Sequence, residues 1–453
     1  MNKPSDTSLL KIKKMKNKLI LLTFGLLTLK SHAMEYPIKS TVLDNGLKVI
    51  VCEKNTNQMA QIEVWYRVGS KDEWDGVRGM AHMFEHMMFR GSKNFSGEGD
   101  IYIKLIEKMG GNVNAYTTFD RTVYHEEVQS QHVEKALEME ADRMANLILD
   151  QKVLDTERQV VGEELRLGEN NWYQRMSAER YKHLYPKGHP YQVDVIGFLN
   201  EITAFTTKQC QDFYDKYYSP NNAFIVVSGN VKAEDVFAYA KKHFGGIKKQ
   251  LPLNDKKPEP DIFSHNIDIE EMNIDFPVQI YSYIVPAPAF GHKDYHKFNL
   301  LSELLFSNPN SILNISVVNI GNLAYQIAPN SDESRMYNNY ANYDFIMQAA
   351  MGNAKVKKIV SKEINDIINE GMDQELIDNY VKSMEAQSTF GKYSNSNIAT
   401  ELGFAEYYYK DYNEYDAKLE AYKKIKGEDL KIIAKTYFDP EKLKVINIKP
   451  IME

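Results

Sequence analysis

The pentapeptide His82-Met83-Phe84-Glu85-His86 constrains the fold more than any other feature of this sequence. On an α-helix of 3.6 residues per turn, His82 and His86 project from one face and can reach the same metal ion. Glu85 lies beside them, where its carboxylate can take a proton from a water molecule instead of binding the metal. The arrangement is typical of zinc sites in hydrolytic enzymes. It predicts a helix here and requires a third ligand, because a catalytic zinc usually has three protein ligands.

A candidate for the third ligand lies downstream in a second predicted helix, the segment from Glu157 to Leu165. Glu157 and Glu164 are seven residues apart, about two helical turns, so they share one face. Glu163 points about 100° away from Glu164, so only one of these two carboxylates is expected to face the metal. The alternative interpretation is an exposed acidic helix face without a metal.

These two patterns, taken in this order, resemble those of the insulinase-like zinc peptidases, a family that includes pitrilysin and the mitochondrial processing peptidase. Shorter matches follow the family's order along most of the mature chain. They are Leu43-Asp44-Asn45-Gly46-Leu47, Gly110-Gly111-Asn112-Val113-Asn114-Ala115-Tyr116-Thr117, His189-Pro190-Tyr191 with Ile196-Gly197, and Tyr217-Tyr218-Ser219-Pro220-Asn221-Asn222. The resemblance implies an α+β fold in which two similar α/β-sandwich domains face each other across a cavity.

Carried over by position, the resemblance implies that His82, His86 and Glu164 bind one zinc ion per chain and that Glu85 is the general base. Glu157 matches a second acidic residue near the metal, which would orient a ligand or help with proton transfer. The choice of Glu164 over Glu163 rests on the seven-residue offset from Glu157.

The resemblance also implies a substrate-binding segment. Asn114, Ala115, Tyr116 and Thr117 match the family's exposed strand edge near the zinc. Such an edge can hold a peptide by strand addition, whatever the peptide's side chains. The alternative is a strand that is already paired inside its sheet.

One position departs from the family. Active relatives have an arginine and a tyrosine seven residues apart in the second domain, where they hold the substrate and stabilise charge on the attacked carbonyl. Tyr325 matches the tyrosine and is a candidate catalytic residue, but Val318 occupies the arginine position, and Arg335 is the only arginine after Arg180. In some short bacterial relatives, a second subunit supplies the arginine and the tyrosine.

The expected partner is therefore a homologous subunit in a heterodimer, with this chain as the zinc-bearing half. The alternative is a homodimer, in which catalysis is weakened or is supported by Arg335 or a lysine. The formal net charge of -7 argues against a nucleic-acid partner, which usually meets a basic surface.

The N-terminus has the features of a secretory signal. Five lysines between positions 11 and 18 precede the apolar run Leu19 to Leu29, and Ser31-His32-Ala33 follows. These features predict cleavage after Ala33 and export of residues 34–453, with a bacterial periplasm as the expected compartment. The apolar run is too short to span a bilayer, so no membrane span is expected after signal removal. Cys52 and Cys210 could form one disulfide in an oxidising compartment.

The 453 residues suit two domains of about 200 residues each. The proline-rich, charged stretch Leu251 to Pro260 is typical of a linker, and a similar plan of strands and helices recurs after it. In this second half, Asn299 to Phe306 takes the place of the metal helix and has no histidine pair. The predicted organisation is a signal peptide (1–33), an N-terminal zinc-binding peptidase domain (34–250), a linker (251–264) and a C-terminal inactive peptidase-like domain (265–453).

The functional expectation is an exported zinc-dependent endopeptidase that hydrolyses peptides or unfolded protein segments. Two alternatives stay open. One is a non-catalytic peptide-binding or assembly subunit, although a scaffold has no need of the general base Glu85. The other is a dedicated maturation peptidase for one precursor.

Overall fold

Two β-sheets, one in each half of the chain, organise the protein. The computed structural model describes residues 36–251, 260–330, 335–348 and 353–451. The predicted signal peptide lies outside the described residues, and so do residues 252–259 of the predicted linker. In the ranges that are described, no helix is both long enough and apolar enough to cross a bilayer.

The first half of the chain forms a six-stranded sheet with its helices. Its elements are β1 (Ile38–Val42), β2 (Lys48–Glu53), β3 (Met59–Tyr66), α1 (Met80–Met87), α2 (Ile101–Lys108), β4 (Asn112–Thr117), β5 (Thr122–Gln129), α3 (Val133–Asn146), α4 (Gln151–Asn170), α5 (Trp172–Leu184), α6 (Leu199–Ile202), α7 (Thr207–Tyr217), β6 (Ala223–Gly229) and α8 (Ala233–Phe244). The strands lie in the order β1-β2-β6-β3-β5-β4. Only β2 and β6 pair in parallel. Strand β4 is thus an edge strand, and the alternative prediction that it lies inside the sheet is wrong.

The apolar pattern of each element explains how this half packs. Helix α3 has an apolar face that recurs every three or four residues. Its apolar residues Ala136, Met139, Ala141 and Met144 are buried, and so is Leu147, which follows the helix. They belong to one core with the apolar side chains of β2, β3, β6 and α1. This core fixes α1, the helix with the histidine pair, against the sheet.

The second half of the chain repeats the plan with five strands. Its elements are β7 (Glu271–Ile274), β8 (Ile280–Ala287), α9 (Tyr295–Ser302), β9 (Ala324–Asn330), β10 (Asn339–Met347), α10 (Asn353–Glu370), α11 (Gln374–Gly391), α12 (Asn395–Tyr409), α13 (Ala417–Lys424), α14 (Gly427–Tyr437) and β11 (Lys444–Pro450). The strands lie in the order β7-β11-β8-β10-β9, so β7 and β9 are the two edges. Helix α9 continues as a π-helical turn over Glu303–Ser307 and occupies the segment predicted as the counterpart of the metal helix. The predicted α+β fold with two similar halves is confirmed.

Each half of the chain covers the sheet of the other half with one helix, which no local sequence pattern predicted. Helix α12 lies on the face of the first sheet that is opposite the core, and contacts β3 and β6. A Cβ atom at Gly403 of α12 would lie 2.3 Å from the Trp65 indole of β3, so only glycine fits there. In the opposite direction, Met176 of α5 is buried with Ile284 and Ile446 of the second sheet. We refer to α5 and α12 as the exchanged helices.

A buried ion pair joins one exchanged helix to the second sheet, and breaking it should destabilise the protein. Arg180 of α5 donates a 2.8 Å hydrogen bond to Asp344 of β10, and both side chains are at most 2% exposed. Asp344→Asn leaves a buried guanidinium without this carboxylate, which should lower the free energy of unfolding by about 3–5 kcal/mol. Urea denaturation measures this change.

The control for this prediction is Lys182→Gln, also on α5. Lys182 pairs with Glu179 at 2.6 Å, but both side chains are exposed. Exposed pairs contribute at most about 1 kcal/mol, so this variant should unfold close to the wild type. Equal stability of the Asp344→Asn protein and the control would contradict the prediction.

Cys52 and Cys210 do not form the disulfide that the sequence analysis considered possible. Cys52 lies in β2 and Cys210 lies in α7, and both thiols are buried and free. The Cys210 Sγ atom contacts the Met80 Sδ atom at 3.9 Å instead. Both cysteines therefore act as small apolar core residues.

Candidate metal centre

Helix α1 begins at a glycine turn and is held by a buried carboxyl group. Gly79 precedes the helix with a φ of 95°, and a Cβ atom there would lie 2.6 Å from the carbonyl oxygen of Ile196. Glycine is required because other residues rarely adopt this conformation. The Glu73 side chain is 1% exposed and accepts 2.8 Å hydrogen bonds from the N–H groups of Gly79 and Ala81. These bonds satisfy N–H groups that a helix start leaves unpaired.

Helix α4 brings Glu164 to the histidine pair on α1. The His82 Nε2 atom lies 3.7 Å from Glu164 Oε1, and the His86 Nε2 atom lies 3.3 Å from Glu164 Oε2. Potential ligand atoms of all three residues lie within 4.8 Å of one another, and no second group of this kind occurs among the described residues. Glu163 instead pairs with Arg166 and is exposed. Of the two adjacent glutamates, only Glu164 faces the histidines.

The three residues fit a zinc ion. Zinc bonds of about 2.0–2.1 Å in a tetrahedral site place the ligand atoms about 3.4 Å apart, close to the two distances given above. Burial and the neighbouring His86 lower the pKa of His82 to about 4, which favours the neutral imidazole that binds metals. Two imidazoles and one carboxylate are also a usual donor set for a catalytic zinc.

Glu85 lies on the same helix between the histidines and touches the edge strand. The Thr117 hydroxyl of β4 donates a 2.6 Å hydrogen bond to Glu85 Oε2. Burial raises the pKa of Glu85, and the Thr117 hydrogen bond and the His86 charge oppose the rise. A raised pKa makes a carboxylate a better proton acceptor than an exposed glutamate. The hydrogen bond also fixes this carboxylate relative to β4.

Glu157 is buried behind His86. The Glu157 Oε2 atom lies 3.6 Å from His86 Nδ1, the ring nitrogen that points away from Glu164. The Arg90 guanidinium forms a short ion pair with Glu157 Oε1 and a 3.3 Å ion pair with Asp100. This separation is longer than a hydrogen bond, so the contact is electrostatic, and the Glu157 carboxylate favours a proton on the His86 ring. Arg90 thus contacts Glu157, and Glu157 contacts His86 of the candidate metal site.

Two residues at the site, Arg90 and Glu73, were not predicted from the sequence. Arg90 follows His86 by four residues, a spacing that places two residues on one side of a helix and could have indicated a contact with the site. Glu73 precedes α1 in a loop, so it has no periodic relation to the histidines. Only the folded chain shows that its carboxyl group reaches the start of the helix.

A cavity of about 1040 Å³ adjoins the candidate metal site and is lined by both halves of the chain. From the first half, its walls include His82, Glu85 and Glu164 together with three of the four predicted substrate-binding residues, Ala115, Tyr116 and Thr117. The fourth, Asn114, does not line the cavity, and its side-chain oxygen accepts a 2.9 Å hydrogen bond from the Ala115 N–H group. Residues 272–275 of the second half also line the cavity.

The structure does not bring Tyr325 to this cavity. Tyr325 lies in β9, at an edge of the second sheet, with 59% of its surface exposed, and it is not among the cavity-lining residues. Arg335 is buried with its guanidinium over the rings of Phe119 and Tyr191, at 4.2 and 5.1 Å. Arg335 does not line the cavity either, which disfavours the alternative that it supports catalysis there.

Two family models and one relative decide which family this is. The model of insulinase (peptidase family M16) matches residues 48–191, and the model of the peptidase M16 inactive domain matches residues 204–384. The zinc protease PqqE of Helicobacter pylori is 30% identical over 96% of this chain and 97% of that protein. The chain belongs to the insulinase family, peptidase family M16. The predicted resemblance is confirmed.

Solved structures agree with the M16 fold. The crystal structure of a protease from Helicobacter pylori superposes with a TM-score of 0.80 at 26% identity, covering 92% of this chain and 100% of that chain. The periplasmic protease PqqL of Escherichia coli gives a TM-score of 0.70 at 19% identity, covering 92% of this chain and 48% of that chain, and shows the fold alone. The match of the inactive-domain model to this M16 chain agrees with the lack of histidines in the Asn299–Phe306 segment.

Proposed function

We propose that this M16 protein is an exported zinc-dependent endopeptidase that hydrolyses peptides or unfolded protein segments in its cavity. The observation that carries the proposal is the convergence of His82, His86 and Glu164, with Glu85 beside them, on a cavity bordered by the strand edge β4. A cavity of about 1040 Å³ accepts an extended peptide and is too small for a folded domain.

In the proposed reaction, His82, His86 and Glu164 hold one zinc ion, which when bound acidifies a water molecule and polarises the scissile carbonyl group. The carboxylate of Glu85 takes the proton of the attacking water and passes it to the departing amine. Glu157 orients His86 by its charge beside the Nδ1 atom, and Arg90 holds Glu157 in place. Each residue except Arg90 has the role that the family resemblance implies.

The peptide is proposed to add as a strand to β4. Because the Thr117 hydroxyl of β4 also binds Glu85, the strand edge and the general base have a fixed relative position. A peptide paired along β4 therefore presents its backbone to the base at a defined distance. Strand addition uses main-chain hydrogen bonds and so tolerates many side chains.

The proposal includes a homologous subunit that supplies an arginine–tyrosine pair. Valine stands at position 318 and Tyr325 does not line the cavity, so the second-domain arginine–tyrosine pair of active relatives is not found beside the metal site among the described residues. A donor to the carbonyl oxygen contributes about 2–4 kcal/mol to catalysis, which a partner could restore. A homodimer is the alternative assembly.

We also retain the domain boundaries and the compartment as parts of this proposal. The zinc-binding domain would span residues 34–250 and the inactive domain residues 265–453, with residues 251–264 between them. Export to the periplasm is supported by the N-terminal signal features and by the description of Escherichia coli PqqL as a periplasmic protease.

Cleavage of unstructured peptides by the purified protein tests the function. We expect cleavage with zinc, loss of cleavage after chelation at neutral pH, and recovery when zinc is added back, because zinc supplies the Lewis acid. The assay is a mixed peptide library analysed by mass spectrometry, with and without a homologous subunit that carries the arginine and the tyrosine. If zinc binds but no peptide is cleaved, either with or without the homologous subunit, the function would instead be that of a non-catalytic peptide-binding subunit.

A further inference from the structure

The turn between strands β4 and β5 adjoins the residue that contacts the general base. Thr117 is the last residue of β4 and donates a 2.6 Å hydrogen bond to Glu85. The turn begins at Thr118, whose N–H group donates to the Arg121 carbonyl at 2.8 Å and whose hydroxyl accepts a 3.2 Å hydrogen bond from the Arg121 N–H group. These bonds close the turn over residues 118–121. The position of the Thr117 hydroxyl therefore follows the position of the turn.

Asp120 anchors this turn from inside the protein, where it is only 1% exposed. The Tyr191 hydroxyl donates to the Asp120 carboxylate at 2.9 Å, and the Met336 N–H group donates to Asp120 Oδ2 at 3.2 Å. The same Tyr191 hydroxyl accepts a 3.0 Å hydrogen bond from the Tyr337 N–H group. Because Met336 and Tyr337 belong to the second half of the chain, one carboxylate joins the turn to that half.

Two largely buried cations adjoin Asp120. The Lys71 ammonium group donates to the Asp120 carbonyl oxygen at 2.9 Å, and the Arg335 guanidinium lies over the ring of Tyr191 at 5.1 Å. Burial raises the pKa of Asp120, and the charges of Lys71 and Arg335 oppose this rise. Loss of the carboxylate charge would leave both cations with one counter-charge fewer in a buried region, which is costly.

The residues on either side of Asp120 also contact the second half of the chain. The Arg335 guanidinium lies 4.2 Å from the centre of the Phe119 ring, and Arg121 donates a 2.8 Å hydrogen bond to the Tyr408 hydroxyl of α12. Asp120 is the only hydrogen-bond acceptor among these three side chains. Its neighbours in the turn therefore cannot replace its bond to the main chain of the second half.

We propose that Asp120 is a positioning residue, which fixes the β4–β5 turn to the second half of the chain and thereby holds the Thr117 hydroxyl against the Glu85 carboxylate. The proposal rests on the proposed function, because Glu85 is the general base of that reaction. The orientation of this base matters, since a displacement of about 1 Å in a reacting group can lower the rate about a hundredfold. The second half thus contributes to catalysis through its contacts with the turn.

Replacing Asp120 with asparagine should lower kcat about tenfold to a hundredfold. Asparagine keeps the shape and one oxygen for the Tyr191 hydroxyl, but it removes the charge and places an NH2 group among donors. KM should change less than about threefold, because β4 still pairs with β5 and the loss falls on the chemical step. Zinc content should equal that of the wild type, because Asp120 is not one of the converging ligands. Steady-state kinetics with a fluorogenic peptide and metal analysis measure these quantities, and a rise in KM without a fall in kcat would overturn the proposal.

The control is Asp344→Asn, because Asp344 is also a buried carboxylate that joins the two halves of the chain. It bonds to Arg180 and Asn342 rather than to the turn. Thermal unfolding identifies a temperature at which both variants are folded, and there Asp344→Asn should have the wild-type kcat. Equal losses of kcat in the two variants would mean that Asp120 has only a structural role, and would overturn the proposal.

A double-mutant cycle with Thr117→Val separates positioning from a general loss of structure. Valine has nearly the shape of threonine and lacks the hydroxyl that binds Glu85. If Asp120 acts through this hydroxyl, Asp120→Asn should lower kcat by less than about twofold in the Thr117→Val background. Independent effects, whose fold-changes multiply, would overturn the proposal.

Crystal structures of the zinc-loaded proteins give a measurement that does not depend on turnover. The distance between the Thr117 hydroxyl oxygen and Glu85 Oε2 should exceed about 3.5 Å in Asp120→Asn and stay within hydrogen-bond range in the wild type and in Asp344→Asn. A retained hydrogen bond in Asp120→Asn overturns the proposal. If the wild-type protein cleaves no peptide but this contact is lost only in Asp120→Asn, the proposed hydrolytic function fails and Asp120 still positions Glu85.

Discussion

Replacing Glu85 with glutamine is expected to abolish peptide hydrolysis while the zinc content stays unchanged. Glutamine has nearly the same shape and can still accept the 2.6 Å hydrogen bond from the Thr117 hydroxyl, but it cannot take a proton from water. A positioned general base contributes about a hundredfold to ten-thousandfold to the rate. We therefore expect kcat/KM to fall by about a hundredfold to ten-thousandfold, as measured with a fluorogenic peptide.

The zinc content of the same samples decides how this result is interpreted. Glu85 is not one of the three residues whose potential ligand atoms converge, so metal analysis should give equal zinc in the variant and the wild type. Activity above about a tenth of the wild-type value, at equal zinc content, would exclude Glu85 as the general base. Loss of both zinc and activity would mean that the substitution had damaged the metal site itself.

Alanine substitutions at two adjacent glutamates should have very different effects on zinc binding. Glu164 lies 3.3 Å from His86 and 3.7 Å from His82, whereas Glu163 is exposed and pairs with Arg166. Loss of an outer partner alone weakens metal binding by about 10- to 100-fold. Loss of the ligand Glu164 should therefore weaken zinc binding by at least about a hundredfold, and Glu163→Ala should leave it unchanged.

Competition with a chromophoric chelator at neutral pH measures both affinities. The pair is well matched, because the two residues are neighbours on α4 and each change removes the same side chain. Similar zinc affinity in the Glu164→Ala and wild-type proteins would reject the ligand assignment. A larger loss in Glu163→Ala would mean that α4 presents the other carboxylate to the metal.

The sequence predicted those parts of the site whose residues lie on one helix, because their spacing along the chain determines which face they share. The helix with His82 and His86 and the helix with Glu157 and Glu164 follow from a period of 3.6, whereas the edge strand at Ala115 was implied by the family resemblance. The offset of seven also selected Glu164, and the structure places this residue at the histidines. These features were predictable because their residues lie on single elements.

Contacts between distant segments could not be predicted in the same way. Glu73 binds the start of α1 from a loop, and Arg180 of α5 meets Asp344, which lies far along the chain in β10. Nothing in the pattern around either residue identifies its partner. The family resemblance supplied the two-domain fold, but its implied role for Tyr325 has no support from the cavity-lining residues.

The exchanged helices explain why a half without metal ligands stays part of this protein. If the chain were divided at the linker, the first fragment would lose α12 and leave the Trp65 side of its sheet bare, while the second would lose α5 and leave the Ile446 side bare. Large bare apolar faces lead to aggregation. Although the sequence looks like a tandem duplication of separable modules, each module shields an apolar sheet face of the other from water. The half without a metal-ligand cluster among its described residues therefore contributes solubility and stability to the half that has one.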